Sequence, residues 1–381
     1  RRYIMSTLKV DAIRHNSATS DAITTAADGT CTAKITGRTG GGGLSHRNLI
    51  INGAMQIAQR GTSSTASGHG SVDRFAVYHS TDDAPTHSQS DVGLSDLPFT
   101  EQGITKCLKV TNGNQSGAGN AEYVEINYKC EAQDIRNSGW NYQSSSSFIT
   151  LSYYVRSSVA QTYTAWITNR DGTRKNFVWT YALSANTWTK ITKVIPGDSN
   201  LTIDNDNGPA FELWLQMYYG TNYTQASPPG NNTGGWVNHD NQTVEDNTTT
   251  WYLTNDATFE LTGVQLEVGN HATSFEHRSV ADELARCQRY YEETYVMTDA
   301  GNSYVRVPVL YKVEKRAVGT PVSYAKRPDG VGTGAANKAY QADGERTASC
   351  NYSWTGGTML FVSGYSANTD CFSNIRVNAE L

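Results

Sequence analysis

The chain has 381 residues, with 31 Lys plus Arg against 36 Asp plus Glu and a formal net charge of −5. Only 18% of residues are charged and 38% are hydrophobic, so the mean hydropathy of −0.52 reflects uncharged Ser, Thr, Asn, Gln and Gly. This excludes a disordered polyelectrolyte, and the pI of about 5.9 with no Lys/Arg run weighs against a nucleic-acid partner.

No apolar stretch of roughly 18 residues exists, so no membrane insertion is expected. The opening residues, Arg1 to Met5, turn polar at once and lack the apolar run of a secretory leader. Six cysteines, Cys31, Cys107, Cys130, Cys287, Cys350 and Cys371, form no C-x-x-C pair. They are expected to be mostly free thiols of a protein assembled in a reducing cytosol, with Cys350 and Cys371 the pair to watch.

Residues 5–36 predict extended structure with a thin core. Leu8, Val10 and Ile13, then Ile23, Thr25 and Ala27, then Cys31, Ala33 and Ile35 alternate between turn residues, with Thr24 in the opposite phase. So few large apolar groups bury too little area alone. Either identical chains share the core or the segment is a loose leader. Gly40 to Gly43 mark a linker, which makes residues 1–43 an N-terminal attachment arm.

Residues 44–277 predict short alternating strands. Leu108 to Val110, Glu122 to Cys130, Phe148 to Val155, Tyr163 to Thr168, Asn176 to Tyr181, Trp188 to Ile195, Phe211 to Tyr218 and Phe259 to Val268 all carry the period of two. Asp171-Gly172 between two such runs predicts a hairpin with a type I′ turn. The pattern points to an all-β chain whose main domain is an antiparallel jelly-roll sandwich. Residues 219–250, rich in Asn, Thr, Gly and Pro, interrupt it as a long loop.

One short helix is expected at 278–294, capped by Ser279, with Val280, Leu284, Cys287 and Tyr291 on one face. That stripe either docks on its own sandwich or meets symmetry mates at an oligomer interface. Asp282 with Arg286 and Arg289 with Glu293 have the spacing of helical ion pairs. Residues 295–381 predict a C-terminal β tip domain. Val305, Val307, Val309, Tyr311 and Val313 share a face there, and Gly356-Gly357 turns a hairpin.

No catalytic motif emerges. No His lies in a nucleophile elbow or a zinc helix, so no catalytic residue, metal or cofactor is expected. Glu260 and Glu267 fall on one predicted strand an odd number apart, which should put them on opposite faces and rule them out as a glycosidase pair. Asp204 to Gly208 fails the calcium-loop frame and is expected to be an Asp/Asn turn, with a calcium ion held partly by backbone carbonyls as the alternative. Sugar binding needs an exposed aromatic face with polar neighbours. Trp140 and Tyr142, and Tyr223, Trp236, His239 and Asp240, lie in predicted loops; Trp354 and Tyr365 are candidates near the C-terminus. Each of these rings either contacts a ligand or packs. Trp166, Trp179 and Trp214 lie within strands and are expected in the core.

Several stretches together resemble a jelly-roll domain common in tailed-phage fibre and structural proteins. They are Asn48 to Thr62 (NLIINGAMQIAQRGT) with Val72-Asp73-Arg74-Phe75, Leu183 to Lys190 (LSANTWTK) with Ile195-Pro196-Gly197-Asp198, and Phe259 to Gly269 (FELTGVQLEVG). Ala272 to Ser279 (ATSFEHRS) and Glu283 to Tyr291 (ELARCQRYY) complete the set. The resemblance covers about 245 residues and implies a fold similar to carbohydrate-binding modules, a virion location and often a homotrimer. It brings no catalytic residues. On that footing the chain is expected to be a non-enzymatic tail-fibre protein. The arm would hold other virion proteins, and the rest would contact host surface glycan by multivalent weak binding. An architectural capsid or collar protein and a polysaccharide depolymerase are the alternatives.

Overall fold

The computed structural model describes residues 12–13, 23–25, 31–33, 47–228, 230, 233–246, 250–298, 304–342, 344–363 and 370–381. Contacts divide the chain into Arg1–Ser45 and His46–Leu381. In the first unit β1 (Ala12–Ile13), β2 (Ile23–Thr25) and β3 (Cys31–Ala33) form one antiparallel sheet. Ile23 lies opposite Ile13 and Ala33, and Thr24 opposite Ala12 and Thr32, as the alternation requires. The glycine run lies outside the described residues.

The second unit opens with β4 (Ser63–Ser64), β5 (Phe75–Ser80), β6 (Thr86–Asp91), α1 (Leu97–Gln102), β7 (Lys106–Thr111), β8 (Tyr123–Glu131) and α2 (Ala132–Arg136). It continues through β9 (Phe148–Ser157), β10 (Gln161–Asn169), β11 (Lys175–Leu183), β12 (Thr189–Pro196) and β13 (Pro209–Tyr219). Then follow β14 (Thr224–Gln225), β15 (Val237–Asn238), β16 (Val244–Glu245) and β17 (Thr258–Val268). Two six-stranded sheets result, in the orders β15-β11-β10-β13-β8-β5 and β12-β9-β17-β7-β6-β4. Every pairing within them is antiparallel. The chain crosses repeatedly between the sheets, which makes the sandwich a jelly roll.

Alternation builds the core. Tyr163, Ala165 and Ile167 of β10, Phe177, Trp179 and Tyr181 of β11, and Phe211, Leu213 and Leu215 of β13 all face inward. The Trp179 indole N–H donates to the Tyr153 hydroxyl at 3.1 Å, so this core ring leaves no orphaned donor. The Arg170–Thr173 hairpin forms as expected, but only Gly172 has positive φ (62°), and five residues separate β10 from β11, so the turn is not type I′.

The period of two fails at one place. On β17 the inward residues are Phe259 and Leu261, then Val264 and Leu266. The register slips between Thr262 and Gln265, with Gly263 at φ 61°. One extra residue there reverses the phase. Glu260 therefore lies opposite Arg156 and Glu267 opposite Thr150, six residues apart on β9 and on the same face, contrary to the simple count. About 20 Å of strand separates them, still too far for a glycosidase pair.

Two ends of the resembling stretches meet. Glu276 accepts from the Asn48 amide at 2.7 Å, Leu49 donates to the Leu266 carbonyl at 2.9 Å, and Arg278 donates to the Ile50 carbonyl at 3.1 Å. Asn52 bridges the carbonyls of Ile57 and Asp73, both at 2.9 Å. These Asn, Glu and Arg side chains close one end of the sandwich.

The helix is α3 (Val280–Gln288), with the Ser279 hydroxyl accepting from the Asp282 amide at 3.1 Å. It is shorter than expected: Tyr291 opens strand β18 (Tyr291–Thr298), and 278–294 is not one helix. Cys287 packs with Ile51, Ile57 and Tyr290, with Leu284 against them, so this part of the stripe docks on the same chain. Val280 is 61% exposed and off that contact. Tyr291 is buried under the Arg60 guanidinium, 3.7 Å from the ring centre. The Asp282–Arg286 pair forms at 3.3 Å, whereas Arg289 turns to Glu131 and Glu293 to Arg376. The short helices α1 and α2 were not signalled by periodicity.

β18 joins β19 (Tyr304–Leu310), β20 (Thr320–Tyr324), β21 (Lys338–Gln341), β22 (Arg346–Trp354), β23 (Gly357–Ser363) and β24 (Cys371–Asn378) in a seven-stranded sheet. Its core is small: Val309, Ala339, Ala348, Leu360, Val362, Cys371 and Ile375. Tyr311 and Val313 lie beyond β19 and leave the predicted shared face. The β22–β23 turn is Thr355-Gly356, one residue earlier than Gly-Gly. Cys107, Cys130, Cys287 and Cys350 are free thiols, and no disulfide joins Cys350 to Cys371.

Polar contacts tie this sheet to the sandwich. The buried Arg74 guanidinium sits 3.4 Å from the Tyr290 ring centre and pairs with Glu380. Burial opposes the Glu380 charge, but His69, Arg74 and Arg60 outweigh it and hold the carboxyl at about 2. Burial lowers His69 itself to about 4, so above that pH the two arginines carry the effect. Arg316 donates to the carbonyls of Ala379 (2.7 Å) and Asn207 (2.7 Å).

Candidate functional site

The outer face of the first sheet carries the other half of the alternation. From β8 come Tyr123, Glu125 and Asn127, from β10 Thr164, Trp166 and Thr168, from β11 Asn176, Val178 and Thr180, and from β13 Glu212, Trp214 and Gln216. Trp166 and Trp214 lie directly opposite each other and stack, 5.9 Å between centres and 13° between planes. Trp166 is buried as expected, at 5% exposure, but in a second cluster with Val178 and Val244 rather than between the sheets, whereas Trp214, also expected in the core, is only partly buried. Both belong to the polar phase of their strands and line a cleft of about 340 Å³.

Asn222, Tyr223, His239, Asp240, Asn241 and Thr243 of the long insertion wall this cleft. Trp236 anchors the insertion: the ring lies 5.7 Å from both Phe177 and Phe211, and its N–H donates to the Pro196 carbonyl at 2.8 Å. β15 then pairs with the edge of β11, and the chain runs back over the face. Val244 is fully buried against Trp166 and Val178. Asn176 accepts from the Thr168 hydroxyl at 2.9 Å and donates to the Thr243 hydroxyl at 2.7 Å, fixing the crossing segment to the sheet. A smaller cleft of about 240 Å³, lined by Gln161, Thr162, Thr164, Thr180, Glu245 and Asp246, lies farther along β10.

Tyr219, Tyr223, Asn222, His239 and Asp240 complete the larger cleft with Arg170, Glu125 and Glu212. Tyr223 meets Tyr219 at 5.6 Å and Tyr123 at 5.7 Å. Glu212 pairs with Arg170 at 3.2 Å and Lys129 at 3.5 Å. Burial and the nearby Arg174 lower the His239 pKa below the ordinary histidine value. The cleft thus offers aromatic faces beside hydroxyl, amide and carboxylate groups, the chemistry that holds a sugar's C–H face and its hydroxyls.

Three of the eight loop candidates, Tyr223, His239 and Asp240, converge here. Trp140 (3% exposed) and Trp236 (8%) are core residues, because a loop position did not keep them from the sandwich interior. Tyr142 is half-buried beside Trp140, 6.3 Å between rings, away from the cleft. Trp354 is 40% exposed on the C-terminal sheet. Tyr365 lies outside the described residues. Asp204 to Gly208 is a turn: Gly208 donates to Asp206 at 2.9 Å. Among the described residues no three His, Cys, Asp or Glu side chains are grouped to hold a metal ion, and no helix is long and apolar enough to cross a membrane.

No family model and no curated protein matches the chain. Similar solved structures include the enzymatically active domain of tailspike protein 4 of bacteriophage CBA120 (7% identity, TM-score 0.31, 58% of this chain), and this chain spans about a fifth (21%) of that one. They also include a family 11 carbohydrate-binding module of Clostridium thermocellum (10% identity, TM-score 0.27, 57% of this chain and 98% of that one). A third is the N-terminal cellulose-binding domain of Cellulomonas fimi β-1,4-glucanase C (12% identity, TM-score 0.27, 57% and 99%). The likeness is one of fold, and the site's chemistry rests on the residues described above.

Proposed function

We propose that the protein is a non-enzymatic glycan-binding component of a tailed-phage appendage, with the sugar seated on the outer face of the first sheet. The observation that carries this reading is the stacked Trp166–Trp214 pair, placed by strand phase in an open cleft beside Thr168, Glu212 and Asp240. Trp166 is itself packed under Val244 and Val178, so the half-buried Trp214, with Tyr219 and Tyr223, supplies the ring faces open to a ligand. The described strands of the N-terminal sheet are two and three residues long, and strands this short gain stability by adding partners. That supports sharing between copies in a homotrimer whose arms hold other virion proteins. Three sites per fibre then raise avidity without tight single sites.

Glu260 and Glu267 form no carboxylate pair with glycosidase spacing, and the reading proposed is binding without cleavage. The test is a host-glycan array together with native mass. A glycan signal and a mass of about three times 41.6 kDa are expected. A silent array would favour the architectural alternative, for which the exposed Tyr295, Met297 and Leu310 of the C-terminal sheet supply contact surface. Release of reducing ends from the bound polysaccharide would favour the depolymerase.

A further inference from the structure

Glu125 is 6% exposed, and Tyr123, Tyr219, Tyr223, Trp166 and Trp214 cluster at the cleft it lines, each ring within 6.2 Å of another. Its carboxyl accepts from the Tyr219 hydroxyl, and its strand neighbours are Gln216 on β13 and Tyr78 on β5. No ion pair to it is formed among the described residues. The cleft's guanidinium, Arg170, is engaged by Glu212, and Asp240 adds a further carboxylate.

A buried carboxyl without a counter-charge costs free energy that Gln would not incur. Burial, with Glu212 nearby, pushes it up to about 8 despite the Tyr219 hydrogen bond. Indole and phenol faces attract a cation, most strongly where water is excluded. A uronic acid would meet Glu212 and Asp240 instead, and a neutral sugar would leave Glu125 unmatched.

Resting on the glycan reading above, we infer that the cleft selects a sugar bearing a free amine, whose ammonium group sits between the Glu125 carboxyl and the aromatic faces of Trp214 and Tyr223. The bound cation draws the proton off Glu125 into solvent, so the carboxylate and ammonium form the ion pair the empty cleft lacks.

The experiment titrates the full chain with three tetrasaccharides at pH 7 and about 0.15 M salt: N-acetylated chitotetraose, its fully de-N-acetylated form, and a tetra-uronate. The de-N-acetylated form is expected to bind at least tenfold more tightly than the acetylated one, with the uronate weakest. Glu125→Gln, which keeps a partner for Tyr219, is expected to bring the ratio of the two affinities to about one. Equal or tighter binding of the acetylated form overturns the inference and leaves the glycan reading standing. A preference that survives Glu125→Gln also overturns it, because general attraction to an acidic protein would behave so. Failure of all three probes, together with a silent host-glycan array, removes the glycan reading itself.

Discussion

The two faces of one sheet use the same residue types for opposite ends. On β11 the inward Trp179 is buried among Tyr153, Phe177 and Tyr181, and its N–H is satisfied. On β10 and β13 the outward Trp166 and Trp214 stand among Thr164, Thr168, Glu212 and Gln216. Residue identity does not separate these tryptophans; strand phase does. An indole in the apolar phase joins the core between the sheets; in the polar phase Trp166 is buried in a separate cluster under Val244 and Trp214 is left half-buried beside the cleft.

The largest expected effect sharpens that contrast. Trp179→Ala should cost about 3–5 kcal/mol of stability by opening a cavity, read as a fall in the urea midpoint. A loss no larger than that of Trp214→Ala would erase the distinction between faces.

The contrast extends to buried carboxyls. Glu380 is surrounded by cations, and among the described residues Glu125 forms no ion pair. Glu380→Gln should cost about 3 kcal/mol at neutral pH by stranding Arg74. The folded pKa of Glu380 lies below its unfolded value, so its contribution is present above about pH 4.5 and is lost as pH falls through about 2. The variant and the parent should therefore converge in acid unfolding. His69, lowered to about 4, has the same sign and withdraws stability as pH falls from about 6.5 to about 4.

Glu125 has the opposite sign. Its folded pKa of about 8 lies above the unfolded value, so the stability it contributes is present below about pH 4.5 and is lost as pH rises through 8. Glu125→Gln should stabilise the unliganded protein by about 1–3 kcal/mol at pH 9 and little at pH 4. Thermal unfolding across that range checks it; the groups facing Glu125 are Tyr78, Tyr123, Tyr219 and Glu212. A variant less stable than the parent at pH 9 would mean the carboxylate has a partner after all.

The smallest effect concerns the crossing segment. Val244→Ala removes two buried methyl groups and should cost about 1–2 kcal/mol, loosening the wall of the cleft. Sugar affinity should fall with it, whereas unchanged affinity would separate the segment from the site.

Much of the sandwich was legible because long runs such as Phe148 to Val155 carry an uninterrupted period of two. Strand order was not, since pairing β13 between β10 and β8 depends on tertiary packing. Three site residues were legible as polar or aromatic members of a long insertion: Tyr223, His239 and Asp240. Trp140 and Trp236 misled because loops also donate side chains to cores. Trp166 and Trp214 carried a usable signal in their phase, Thr164-x-Trp166-x-Thr168 and Glu212-x-Trp214-x-Gln216, which bulk alone obscured. The β17 bulge was marked only by Gly263, and a single glycine inside a strand does not announce a change of phase. Helix α3 ended early because Tyr291 pairs with Asn378, a contact far along the chain.

The most direct test of the central claim is a titration of the parent protein and Trp214→Ala with the best-bound array glycan, alongside their unfolding midpoints. The outer-face site predicts at least a tenfold loss of affinity, about 1.4 kcal/mol, with folding largely retained. Undiminished binding by a folded Trp214→Ala protein would contradict it.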